Sequence, residues 1–214
     1  MRWTDRPPFA PTVLVDRTRL RRVALRYAEH RWPVIPGAYV AGHRFLCGRP
    51  ACPTVSCHPA LDDWERVGTA EPGQVVGWWR HSPHSILFAT GLAFDVLDLP
   101  AGLGERAMGA ARLGALPAGP VAVTPTGRWM FLVRPGEPLH PDLDECVDVV
   151  HHGRGSWIPA PPTRTPHGRV RWAVTPEQVQ WRLPGAYAVQ EVLAYALGVR
   201  QPGRRHGARV PHAA

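Results

Sequence analysis

The chain has 214 residues, of which 25 are basic and 17 acidic, giving a formal net charge of +8 at pH 7. This length suits one sizeable domain. No apolar run approaches the roughly 20 residues that span a bilayer, and the N-terminus lacks the apolar centre of a signal peptide, so we expect a cytoplasmic protein with no membrane partner. Every basic residue is arginine, whose guanidinium matches phosphate geometry, so the charge favours a polyanionic partner such as nucleic acid.

Composition divides the chain into three regions. Residues 1–15 are rich in proline and predict an N-terminal arm. Residues 16–198 carry periodic apolar patterns and predict one mixed α/β domain with a Cys-rich loop inserted at 43–59. Residues 199–214 form a basic tail rich in glycine and proline, which we expect to be disordered.

Hydrophobic periodicity predicts the elements of this domain in chain order. Apolar residues spaced three and four apart predict helices over 16–30, 72–81, 103–116 and 188–197. Short apolar runs predict strands over 32–37, 85–98 (two strands), 121–123, 129–133, 147–150, 156–159 and 170–174. The segment 38–70 predicts irregular structure.

The apolar run from Ser85 to Pro100 contains two carboxylates, Asp95 and Asp98. Strands that are apolar on both faces belong in a sheet covered on both sides, and a carboxylate at the end of such a strand commonly serves metal or phosphate chemistry. Side chains alternate along a strand, so residues three apart point to opposite faces. We therefore expect only one of the two aspartates to face any given site.

Three of the four cysteines lie in a short loop with few apolar residues. Cys47, Cys52 and Cys57 are five residues apart, and His58 follows directly. Zinc prefers four tetrahedral sulfur or nitrogen ligands, and a loop that cannot bury a core gains most from such a clip. The spacing predicts a structural zinc site formed by these four residues, with free structural thiols as the alternative. Adjacent Cys57 and His58 can both bind only if the backbone turns between them, so His43 is a rival fourth ligand.

Nine short motifs follow one another along residues 20–175. They are Trp32-Pro33-Val34-Ile35-Pro36 after an amphipathic helix, Cys57-His58-Pro59, Trp64, Gly77-Trp78-Trp79, Ser82-Pro83-His84, Ala89-Thr90-Gly91, the carboxylate strand, Thr124-Pro125-Thr126-Gly127-Arg128-Trp129 and Pro159-Ala160-Pro161-Pro162-Thr163. In this order they resemble the N-terminal domain of bifunctional DNA primase/polymerases, a branch of the archaeo-eukaryotic primases. The resemblance implies a mixed α/β fold with a sheet of RNA-recognition-motif type flanked by helices.

The resemblance also implies a catalytic site. Two carboxylates at i and i+2 on one strand and a third on a neighbouring strand would hold two divalent cations, Mg²⁺ or Mn²⁺, and a histidine would contact the incoming nucleotide. Here Asp98 matches the first carboxylate, but Pro100 stands two residues on, and Trp129 matches the histidine. The third carboxylate falls near Val150, which is not acidic. The candidate catalytic residues of this incomplete site are Asp98, Asp95 and Asp148.

The resemblance implies that several arginines lie near the cleft that holds the catalytic site. Tryptophan beside such arginines is typical of proteins that stack nucleic-acid bases on aromatic side chains. The candidate nucleotide- or nucleic-acid-binding residues are Arg128, Trp129, Arg154, Arg169 and Arg171. The alternative for each is a core tryptophan or a solvated arginine.

We therefore expect a primase-polymerase-like domain that binds DNA, single-stranded or primer-template, or nucleotides, with weak or no primase or polymerase activity. One alternative is an active DNA primase/polymerase that uses Mg²⁺ or Mn²⁺. Another is a regulatory module that retained the fold to bind a helicase or other replication protein on a separate chain.

Overall fold

The computed structural model describes residues 11–42, 44–50, 52–112 and 119–198. The helices in these ranges are Pro11–Glu29 (α1), Trp64–Val67 (α2), Pro72–Trp78 (α3), Ala101–Arg112 (α4), Pro141–Asp144 (α5) and Ala186–Ala196 (α6). The strands are Val34–Gly37 (β1), Tyr39–Ala41 (β2), Arg44–Leu46 (β3), Ser85–Ala89 (β4), Asp95–Leu99 (β5), Val121–Val123 (β6), Trp129–Val133 (β7), Val150–His152 (β8), Trp157–Pro159 (β9), Arg164–Thr165 (β10), Gly168–Arg169 (β11) and Arg171–Val174 (β12). This arrangement confirms the predicted mixed α/β class.

Two antiparallel sheets form the centre of the domain. The larger has five strands in the order β12-β6-β7-β5-β8, and the smaller has three in the order β1-β4-β9. Strands β2 and β3 pair as a small hairpin, as do β10 and β11. The carboxylate strand β5 therefore lies inside the larger sheet, with a neighbour on each side.

Both faces of the larger sheet carry buried side chains on the inner strands, and each face belongs to a different part of the core. On one face Val96 and Met130 pack with Phe88 of the smaller sheet and with residues of α1. On the other face Leu97 and Phe131 pack with residues of α4 and α6. Burial on both sides explains why the three residues of β5 other than Asp95 and Asp98 are apolar.

Most predicted elements are present, with shifted ends. Helix α1 begins at Pro11, inside the predicted arm, and β8 covers 150–152 because residues 147–148 form a turn. The segment 38–70, predicted to be irregular, contains the β2–β3 hairpin and α2. Residues 1–10, the predicted helical residues 113–116 and the tail 199–214 lie outside the described residues. No helix among those described is long and apolar enough to cross a membrane.

Candidate functional site

Asp98 belongs to a row of five side chains that crosses the larger sheet. Trp172 lies opposite Ala122 on β6, and Ala122 lies opposite Met130 on β7. Met130 in turn lies opposite Asp98, and Asp98 lies opposite Val150 on β8. Directly paired residues share a face of a sheet, so all five side chains are on the face toward the smaller sheet. Asp98 is the one carboxylate in this row.

Arg128, which immediately precedes β7, binds Asp98. Its Nε donates to Asp98 Oδ1 at 2.9 Å, and its Nη2 donates to the carbonyl oxygens of Asp98 and Asp148, each at 3.0 Å. The two side chains are mostly buried, with 29% of Arg128 and 16% of Asp98 exposed. The guanidinium thus neutralises the carboxylate and ties three chain segments together.

His152 and Ser156 occupy the other side of the Asp98 carboxylate. His152 Nε2 lies 3.4 Å from Asp98 Oδ2, and its Nδ1 lies 2.8 Å from the hydroxyl oxygen of Ser156. Since Arg128 already binds Oδ1, both oxygens of Asp98 face protein groups. A single strand pairing produces this contact, because His152 lies opposite Val96, two residues before Asp98.

Asp95 points to the opposite face of β5, as the strand alternation predicted. Its Oδ2 accepts the backbone N–H of Gly136 at 2.9 Å and lies 3.2 Å from His151 Nε2. Only 4% of the Asp95 side chain is exposed, and its Oδ1 has no hydrogen-bond partner among the described residues. Asp95 and Asp98 therefore form two separate aspartate–histidine pairs, one on each face of the β5–β8 ladder.

The Cys-rich loop brings three potential metal ligands together. Ligand atoms of Cys47, Cys52 and His58 all lie within 4.8 Å of one another. His58 Nε2 is 3.5 Å from Cys52 Sγ, while its Nδ1 is 2.7 Å from the carbonyl oxygen of Ser56. A histidine that donates one ring N–H to a backbone carbonyl presents its other nitrogen to a metal. Among the described residues this is the one group of three or more His, Cys, Asp or Glu side chains that meets this distance.

The thiols of the loop differ in their surroundings. Burial raises the pKa of Cys47, but hydrogen bonds from the side chain and backbone of Arg49 and from Cys52 outweigh it and hold that pKa below its usual range. Burial raises the pKa of Cys57 to about 11. Of the four predicted ligands, Cys57 does not belong to the three-residue group, whereas His58 does. His43, the alternative to His58, lies outside the described residues.

A comparison with known protein families gives a match over most of the chain. The family described as "Bifunctional DNA primase/polymerase, N-terminal" (Prim-Pol) matches residues 24–186. The chain belongs to the Prim-Pol family. Its membership associates it with DNA priming and polymerisation. No curated protein matches the sequence.

The Prim-Pol resemblance placed the family's histidine at Trp129. In the structure the residue of β7 that lies beside Asp98 is Met130. Trp129 lies opposite Leu99 and so faces α4, whereas Met130 lies opposite Asp98. A thioether is a weak hydrogen-bond acceptor and carries no proton to donate. Val150 and Pro100, at the expected carboxylate positions, also lack ligand oxygens in their side chains. Asp148 lies in the turn before β8 and contacts Arg128 through its backbone carbonyl.

Three of the five predicted nucleic-acid-binding residues lie around one cavity. Trp129, Arg169 and Arg171 line a cavity of 390 Å³ beside the β6–β7 turn. Arg128 is held away from it by Asp98, and the exposed Arg154 lies in the β8–β9 turn. The backbone of Arg154 packs tightly on Gly91, whose φ is +89°; a Cβ on Gly91 would lie 2.2 Å from Arg154 Cα.

Sequence reasoning did not pair His151 with Asp95 or His152 with Asp98. Both contacts depend on the register of β8 against β5, which joins residues more than 50 positions apart. The available signal was the pair of adjacent histidines, His151 and His152, directly after the predicted strand 147–150.

Proposed function

We propose that this Prim-Pol domain binds nucleic acid or nucleotides and has little or no DNA-synthesising activity. Two-metal nucleotidyl transfer needs several carboxylate oxygens that converge on the cations. Mg²⁺ in particular demands near-octahedral oxygen ligands and is held by one or two carboxylates together with substrate phosphates.

The observation that carries the proposal is the contact between Asp98 and Arg128. A guanidinium, 2.9 Å from the carboxylate, supplies positive charge at the position where a cation would compete for the same oxygen. Val150 directly opposite adds no oxygen, and Asp95 belongs to the other face of the sheet. The side chains near Asp98 therefore do not fit a pair of divalent cations.

Binding is supported by the excess of arginine and by the cavity around Trp129. Arginine binds phosphate through planar, forked hydrogen bonds, and each phosphate contact releases counterions. Aromatic side chains next to such arginines stack on bases without regard to sequence.

A zinc ion bound to Cys47, Cys52 and His58 would stabilise the Cys-rich loop in this proposal. Two sulfurs and one imidazole nitrogen are the ligand types that zinc prefers, and the hydrogen bond from His58 to Ser56 fixes the ring for binding. Zinc here would hold the loop beside the end of β1, since Cys47 packs with Ala38, the residue after β1, and with Ala60.

Primer extension with Mg²⁺ and with Mn²⁺, run beside direct binding of single-stranded DNA, tests the proposal. We expect the logarithm of the binding constant to fall linearly with the logarithm of the salt concentration. We expect no primer extension above that of an Asp98→Ala variant. Extension that Asp98→Ala abolishes would establish an active primase or polymerase instead. A folded protein that binds neither single strands nor nucleotides at low salt would leave the regulatory module as the better account.

A further inference from the structure

The cavity beside the β6–β7 turn lies on the face of the larger sheet that Asp98 does not occupy. Arg171 lies opposite Val123, Val123 lies opposite Trp129, and Trp129 lies opposite Leu99. Leu99 packs with α4 and α6, so this whole row faces the α4 side. The cavity and the Asp98 carboxylate are therefore separated by the sheet itself.

The charged groups around the cavity are predominantly basic. His167 and Arg169 come from the β10–β11 hairpin, Arg171 comes from β12, and Glu105 of α4 is the acidic residue of the lining. Arg171 is exposed and forms no ion pair with another described residue. Arg169 makes two weak contacts, 3.5 Å to Asp16 Oδ1 and 3.4 Å to the carbonyl oxygen of Pro162. Both guanidinium groups can therefore turn to a ligand at small cost.

Trp129 gives the same cavity an aromatic wall, and it packs closely against α4, which also lines the cavity through Ala101 and Glu105. Helix α4 approaches it so closely that a Cβ on Gly104 would lie 2.2 Å from Trp129 Cγ. This contact fixes the ring, and a fixed aromatic surface loses little entropy when a base stacks on it. The volume of 390 Å³ falls within the range of small-molecule sites.

We propose that this cavity on the α4 side is a binding site for a nucleoside phosphate, which rests on the proposed function of this chain in binding nucleic acid or nucleotides. The phosphate is held by Arg169 and Arg171, and the base lies against Trp129. Glu105 repels phosphate and so favours binding at the arginine side of the cavity. A free nucleotide and a nucleotide within a single strand share this chemistry.

Fluorescence anisotropy with a labelled oligo(dT) of about 15 nucleotides and calorimetry with dATP, both without divalent metal, test the site in the full chain. We expect Arg171→Ala and Arg169→Ala each to weaken binding by about tenfold, the size of one lost charge-assisted hydrogen bond. On oligo(dT), each variant should lower the salt slope by about 0.7. Glu105→Gln should strengthen binding. Dependence on Arg171 in the dATP arm identifies a free nucleotide as a ligand, and dependence in the oligo(dT) arm alone identifies a strand.

Arg80→Ala is the matched control, because Arg80 is also exposed and follows α3, outside the cavity lining. It removes the same charge and should change affinity by less than about twofold. Thermal unfolding of each variant shows whether it remains folded. If the wild type binds and the three substitutions weaken binding equally (Arg171→Ala, Arg169→Ala and Arg80→Ala), the site is overturned. The proposed function then remains intact. No binding by the wild type would overturn both.

Discussion

Asp98 and Val150 lie directly opposite each other on β5 and β8, on the same face of the larger sheet. Paired side chains at such positions have Cβ atoms about 5 Å apart, close enough for two carboxylates to share one cation. The valine therefore leaves Asp98 to Arg128 and His152, which occupy its two oxygens. One residue on the neighbouring strand separates this arrangement from a two-carboxylate site.

Val150→Asp should give the domain a measurable affinity for Mn²⁺. The new carboxylate would sit opposite Asp98, and cation affinity rises with the number of charged ligands. We expect Mn²⁺ to bind at least about tenfold more tightly than to the wild type, measured as loss of the free-ion signal in electron paramagnetic resonance.

Val147→Asp is the control for this gain. Val147 is 96% exposed, and an aspartate there adds the same charge three residues before position 150. It should leave Mn²⁺ affinity at the wild-type level. Equal affinity in the wild type and in Val150→Asp would contradict the view that the missing carboxylate opposite Asp98 limits cation binding.

Cys52→Ser should abolish zinc binding by the purified protein. We expect about one zinc per chain in the wild type and almost none in the variant, because Cys52 is one of the three side chains that converge in the loop. Loss of the metal should also lower the melting temperature, since the free energy of binding contributes to folding.

Cys146→Ser serves as the matched cysteine control, because Cys146 packs against the core beside α4 and α6 instead of in the loop. It should retain zinc. Cys57→Ser tests the remaining predicted ligand: retention of zinc would make Cys57 a buried thiol, and loss would make it the fourth ligand. A wild type purified without chelator that contains no zinc would contradict the site altogether.

The features that sequence reasoning predicted best are those that depend on neighbours along the chain. The opposite orientation of Asp95 and Asp98 follows from strand alternation alone, and the structure confirms it. Cys47, Cys52 and His58 converge because twelve residues contain all three.

Features that depend on strand register could not be predicted from one sequence. Trp129 and Met130 are adjacent, and only pairing with β5 decides that Met130 faces Asp98. Likewise, the bond from Arg128 to Asp98 joins residues 30 positions apart. Such pairings are chosen by the whole core, because a shift of one residue would move every side chain to the other face.

Protonation of His84 should destabilise the fold at mildly acidic pH. Its Nδ1 donates to the carbonyl oxygen of Gly37 at 3.2 Å, and burial lowers its pKa below the usual 6.5 despite this hydrogen bond. Below pH 6.5 the unfolded chain therefore takes up the proton more readily than the folded one. The contribution of neutral His84 to stability is complete above about pH 6.5 and is lost as the pH falls toward the lower folded pKa.

Urea unfolding of the wild type and of His84→Gln between about pH 7.5 and 5 measures this effect. The free energy of unfolding should fall less steeply with decreasing pH in the variant. His81→Gln, an exposed histidine three residues away, should keep the wild-type slope. Identical slopes in all three proteins would show that His84 titrates normally.

Alanine at Gly104 should destabilise the domain, whereas alanine at Gly109 in the same helix should stabilise it. A Cβ at Gly104 would lie 2.2 Å from Trp129 Cγ, which forces the ring or the helix to move at a cost of about 1–3 kcal/mol. A Cβ at Gly109 meets no atom within 4 Å, so it gains about 0.5–1 kcal/mol from the higher helix propensity of alanine. Urea unfolding measures both changes, and the pair separates the contact with Trp129 from any general effect of glycine in α4.

Gly104→Ala should also weaken nucleotide binding, because it displaces the aromatic wall of the cavity, while Gly109→Ala should leave that affinity unchanged. Stabilisation by both substitutions would mean that α4 does not press on Trp129 as closely as the packing indicates.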